Sequence, residues 1–140
     1  MGAWGTGIFD NDTACDWAYK LEKVNNLSVI ESALDEVLNV GAEYLDSHEA
    51  QEALAAAEVI ARLKGNPGIG CGYTETVDEW VEKNRLTPPQ ALIEKALKAI
   101  ERALYRPSEL LELWGESDEF TVWEESVKDL SKRLSARRSG

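Results

Sequence analysis

Histidine occurs once in this 140-residue chain, at His48, and cysteine twice, at Cys15 and Cys71. The two thiols lie far apart and form no C-x-x-C pair. That excludes a disulfide scaffold and the usual cysteine-based zinc signatures, and it fits a reducing compartment. No run approaches the 18 apolar residues of a membrane span, so no membrane helix is expected. The opening MGAWGTGIFDND has neither a basic stretch nor an apolar one, so no signal peptide is expected and a cytoplasmic location is. Met1-Gly2-Ala3-Trp4-Gly5-Thr6 fits the loose myristoylation pattern. A single acyl chain without a basic patch beside it anchors weakly, and no membrane attachment is read from it.

Positive charge is also scarce. The net charge is −11, with 26 acids against 15 lysines and arginines. Residues 128–140 hold Lys128, Lys132, Arg133, Arg137 and Arg138 against the single acid Asp129, a local +4 that leaves −15 on residues 1–127. Such a body repels duplex nucleic acid and favours a basic partner. The basic tail reads as a helix end whose cations face the negative pole of the helix dipole. Hydrophobic residues are 44% and charged residues 29%, globular values that support one core over residues 1–140.

What is present is helical periodicity. Residues 1–11 form a glycine-rich arm carrying Trp4 and Phe9. A helix then starts near Asp10–Asp12, with Ala14, Trp17, Ala18 and Leu21 on one face. Ser28-x-x-Glu31 reads as a capping box before Ile30, Ala33, Leu34, Val37 and Leu38, with Gly41 as the stop. Asp46 or Ser47 opens an alanine-rich helix whose stripe is Ala50, Ala53, Leu54, Ala57, Ile60 and Ala61 and which Gly65-Asn66-Pro67 ends. After the glycine-rich loop 65–73, a short helix carries Val77, Trp80 and Val81. Thr87-Pro88-Pro89-Gln90 opens the next, with Leu92, Ile93, Ala96, Leu97, Ile100 and Leu104. Ser108–Trp114 is a short amphipathic helix, and Thr121-x-x-Glu124 caps a last one with Trp123, Val127, Leu130 and Leu134 inside. No segment alternates as a strand does. The pattern predicts an all-α fold, an irregular bundle of six or seven short amphipathic helices behind an N-terminal Gly/Trp arm.

Each candidate chemistry has a simpler reading. The loop Gly65–Tyr73 lacks the lysine and hydroxyl of a phosphate loop. His48-Glu49 begins a zinc-protease motif, but position 52 is Glu52 and not a second histidine. Asp10–Asp16 resembles the start of a calcium loop, but its sixth and twelfth positions are Cys15 and Leu21. A Cys71–His48 nucleophile requires the fold to bring the two together. No cofactor or metal is therefore expected. Four tryptophans, at 17, 80, 114 and 123, sit at helical spacing and read as core.

The run Gly2-Ala3-Trp4-Gly5-Thr6-Gly7-Ile8-Phe9-Asp10-Asn11-Asp12, followed by Asp16-Trp17, resembles the opening of a bacterial family of domains, the domain-of-unknown-function family 4259. The resemblance extends more loosely through the alanine-rich helix to Trp114 and the C-terminal helix. It implies a stand-alone bacterial cytoplasmic domain and brings no activity, cofactor or catalytic residue. In the arm, Trp4 and Phe9 are expected to fill the core and Asn11 and Asp12 to cap the first helix, with a ligand site there as the sharper alternative. The function expected is that of an acidic protein-binding module, of the inhibitor or immunity type, for a basic partner. Glu112, Glu116, Asp118 and Glu119 are its candidate contacts. The competing expectation is a small carboxylate- or metal-dependent hydrolase built on the acidic arm, or on the glycine-rich loop with His48.

Overall fold

The computed structural model describes residues 7–66 and 74–136. Among these are seven helices: α1 (Asp12–Glu22), α2 (Ser28–Val40), α3 (Ser47–Leu63), α4 (Glu75–Lys83), α5 (Gln90–Ala103), α6 (Glu109–Gly115) and α7 (Phe120–Ser135). No strand occurs among the described residues; a single parallel bridge joins Leu45 to Ser108. The fold is an all-α irregular bundle, as periodicity predicts.

Helix α3 is the axis. It packs against all six of the other helices, and every residue from Ala50 to Leu63 is buried. The alanines explain how so many neighbours fit, because a small side chain lets a partner helix approach closely. The expected one-sided stripe is therefore corrected: α3 has no solvent face over this stretch, and it carries Gln51, Glu52, Glu58 and Arg62 into the interior. The remaining helices each bury one face, with Trp17, Trp80, Trp114 and Trp123 all inside. Trp114 and Trp123 stack with ring centroids 5.8 Å apart and planes 9° from parallel, a favourable aromatic arrangement that fixes α6 on α7.

Capping follows the sequence in places and departs from it in others. Asn11 caps α1, accepting from the Ala14 amide at 2.7 Å, and Ser108 caps α6 through Leu111. Gly65 ends α3 at φ 84°, a left-handed position that favours glycine. The Asn66 amide then reaches the Ala61 carbonyl at 2.9 Å, closing a Schellman turn. Three expected caps are not formed. Ser28 is already the first residue of α2, and its amide and hydroxyl both donate to Asn26 Oδ1. Pro89, not Thr87, precedes α5. Thr121 lies inside α7, which starts at Phe120.

The N-terminus of α3 is capped from outside the helix. Glu109 on α6 accepts from the Ser47 amide at 2.8 Å. That backbone hydrogen bond, with the Ser47 side chain, holds the Glu109 carboxyl below its ordinary range. Beside it, the Arg102 guanidinium donates to the carbonyls of Gly41, Glu43, Tyr105 and Pro107. One side chain thus ties the α2–α3 connection to the α5–α6 connection.

Candidate functional site

The expected contacts divide by exposure. Phe9 is buried, and Asn11 is buried as a helix cap that also donates to the Ile8 carbonyl. Asp12 is exposed in the first turn of α1 and takes no part in the cap. Trp4 lies outside the described residues. The described arm is therefore a folded element: Asp10 Oδ2 accepts from the Gly7 amide at 3.0 Å, and a side chain at Gly7 would collide with that carboxylate.

On α6 and the turn into α7, Glu116, Asp118 and Glu119 are exposed. Glu112 is half-buried and accepts from the Tyr44 hydroxyl at 2.6 Å. That bond to a carboxylate disfavours the phenolate, and Tyr44 is pushed up to about 12. Val122, 54% exposed, projects one turn beyond Glu119. The α6–α7 turn thus presents three open carboxylates with an apolar side chain close by in sequence.

The cations mostly face inward or are already paired. Arg133 on α7 donates twice to Glu58 on α3, at 2.9 and 2.7 Å, and once to Asp129 at 2.8 Å. Its side chain is only 16% exposed. Burial works against its charge, but the bonds and charges of Glu58 and Asp129 outweigh it and hold the guanidinium above its ordinary value. Arg62, one turn after Glu58, pairs with Asp78 of α4, which also accepts from Thr74. Arg62 Nε lies 3.2 Å from Glu58 Oε2, but its N–H is not aligned for a hydrogen bond. Lys64 donates to the Leu134 and Ala136 carbonyls at the end of α7. The chain Asp129–Arg133–Glu58–Arg62–Asp78 thus locks α4 and α7 onto α3. The i,i+4 spacing of Asp129 and Arg133 alone predicts an exposed pair, but Arg133 turns into the body. Arg137 and Arg138 lie outside the described residues.

His48 is brought to Glu52, with Nε2 3.6 Å from Oε2, and Lys20 of α1 reaches the same oxygen at 3.4 Å. Glu52 itself is 6% exposed. It sits at a cavity of about 210 Å³ between α1 and α2, with Trp17, Lys20, Ser28, Ser32 and Glu36 also on the wall. Sequence reasoning passed over Glu52 as the residue that spoils a zinc motif. The available signal was a carboxylate in the middle of an alanine-rich helix, one turn after the only histidine. Cys71 and most of the glycine-rich loop lie outside the described residues, so the Cys71–His48 pairing and the loop-based hydrolase have no geometry here. A second, more open groove of about 570 Å³ runs between α2 and α5 past Leu38, Leu104 and the exposed Tyr105. Among the described residues, no helix is long and apolar enough to cross a membrane.

A family described as a domain of unknown function, DUF4259, matches residues 2–126. The chain belongs to this family. The match takes in the N-terminal arm, all of α1 through α6 and the first half of α7, so this DUF4259 domain includes the acidic turn and the Glu52 cavity. Arg133 and the end of α7 lie beyond the matched residues. No curated protein and no solved structure matches the chain.

Proposed function

We propose that this DUF4259 chain is a non-catalytic binding module that offers an acidic helical surface to a basic protein, in the manner of small inhibitors. The observation that supports it is the acidic α6–α7 turn, whose exposed carboxylates Glu116, Asp118 and Glu119 have no ion pair among the described residues. Arg62 and Arg133 are enclosed, Arg102 is engaged by four carbonyls, and Lys64 and Lys95 are held by neighbouring groups. Glu116, Asp118 and Glu119 stand exposed in a single turn. The chain carries −11 overall, and a field of one sign speeds encounter with a partner of the other. The surface is carried on α6 and α7, whose stacked tryptophans make it a rigid presentation.

The test is capture from a native lysate with the chain as bait, followed by identification of what is bound. One stoichiometric basic protein is expected, released progressively between low and high salt. A triple variant, Glu116→Gln/Asp118→Asn/Glu119→Gln, should lose it, whereas Glu75→Gln/Glu79→Gln on α4 should retain it. Recovery of the chain alone, or equal capture by the triple variant, contradicts the reading.

A further inference from the structure

The cavity between α1 and α2 has the features of a ligand site, and it does not rest on the acidic-turn reading. We infer that it binds a primary alkylammonium group, held on Glu52 Oε1. Glu52 is more than nine-tenths buried, on the helix that forms the axis of the bundle. A carboxylate so placed normally collects short, charge-assisted bonds. Here its two basic neighbours, Lys20 and His48, stand at 3.4 and 3.6 Å, their side chains each 64% exposed. Both contacts fall on Oε2. Oε1 has no donor among the described residues, and Glu52 lines the cavity.

The wall chooses the sign and size of the ligand. A second carboxylate, Glu36, faces the same space, and the Ser28 and Ser32 hydroxyls can accept N–H bonds. A carboxylate or phosphate ligand would meet two acids against one lysine, whereas an ammonium gains from both. Trp17, Val29 and Ala33 supply apolar wall for a short methylene chain. At about 210 Å³ the cavity is smaller than the roughly 300 Å³ at which pockets for drug-sized molecules begin. It suits a group the size of one side chain. Such a group is available from a free aliphatic amine or from a lysine side chain of another protein.

The experiment is a titration of the full chain followed by amide chemical shifts at Lys20, Ser32 and Glu52. The probes are n-butylamine at neutral pH, n-butanol as its uncharged counterpart, butyrate as its opposite, and Nα-acetyl-lysine N-methylamide as a lysine in peptide linkage. Saturable shifts with n-butylamine are expected, with Kd on the order of millimolar, the scale a ligand of about five heavy atoms reaches. Glu52→Gln should weaken it by about tenfold or more, as loss of a charge-assisted bond requires. Ser32→Trp, which fills the cavity from the exposed side of α2 and leaves the carboxylate in place, should abolish it. Equal binding of the lysine derivative would support a protein side chain as the source, and binding of the free amine alone would support a small molecule. Shifts that do not saturate, that butanol or butyrate reproduce, or that survive both substitutions would overturn the inference.

Discussion

Helix α3 carries two buried carboxylates, Glu52 and Glu58, and the protein treats them differently. Glu58 is gripped by both terminal nitrogens of Arg133, with Arg62 alongside. Glu52 is approached on one oxygen only, at longer range, by two side chains that remain largely in solvent. The helix environment is the same for both. What differs is the partner: a planar guanidinium on a packed helix can satisfy two oxygens at once, whereas a lysine and a histidine at the rim cannot. Buried charge is structural where both oxygens are gripped and open where one oxygen is left without a donor. Glu58 belongs to a closed network that joins three helices, and Glu52 belongs to a cavity.

The largest effect on stability is expected from removing the grip on Glu58. Arg133→Ala removes both of the bonds with which the guanidinium grips the buried Glu58, and it should destabilise the chain by about 2–4 kcal/mol in urea unfolding. A loss under about 1 kcal/mol would mean that water reaches Glu58 and that the closed network is not structural. Arg102→Ala comes next, since one side chain satisfies four carbonyls; about 1–2 kcal/mol is expected, because those carbonyls are exposed enough to recover water. Glu109→Ala removes the cap that α6 lends to α3 and should cost about 1 kcal/mol. Its pH dependence has a definite sign. The folded-state value of Glu109 is depressed, so its contribution is complete above the ordinary carboxylate range and is lost as pH falls through the lower folded value. In Glu109→Ala, that part of the acid destabilisation should be absent. The smallest effect belongs to the acidic turn: Glu116→Gln/Asp118→Asn/Glu119→Gln should change stability by no more than about 0.5 kcal/mol, as solvated surface positions do.

Much of this architecture is legible in the sequence, and the part that is not has a common cause. Ala14, Trp17, Ala18 and Leu21 fall on one face because helical spacing is local, and Gly65 stops α3 for a local reason too. Asn11 is readable as a cap from its own side chain. Ser28, Thr87 and Thr121 are equally good cap residues by type, yet the helices start elsewhere: Asn26 takes the donors of Ser28, and Phe120, packed against Trp123, brings α7 forward. The cap on α3 comes from Glu109, 62 positions away, and Arg133 meets Glu58 across 75. No short window contains such pairs. The one local trace is Glu58 with Arg62, a pair at i,i+4 set among alanines and aliphatics where a solvated face would be expected to show more polar residues. The same reasoning applies to Glu52. The candidate contacts Glu116, Asp118 and Glu119 are readable as exposed acids, but their gathering in the turn between α6 and α7 is a property of the fold.

The most direct measurement is a pair of urea titrations on Glu58→Gln and Glu52→Gln beside the parent chain. Glu58→Gln should move the midpoint far down, by the equivalent of about 2–4 kcal/mol, because it removes the carboxylate that Arg133 grips with both terminal nitrogens and leaves that guanidinium only the exposed Asp129. Glu52→Gln should stay within about 1 kcal/mol, since only two long, exposed contacts are lost. Equal losses from the two substitutions would contradict the distinction between a closed charge and an open one.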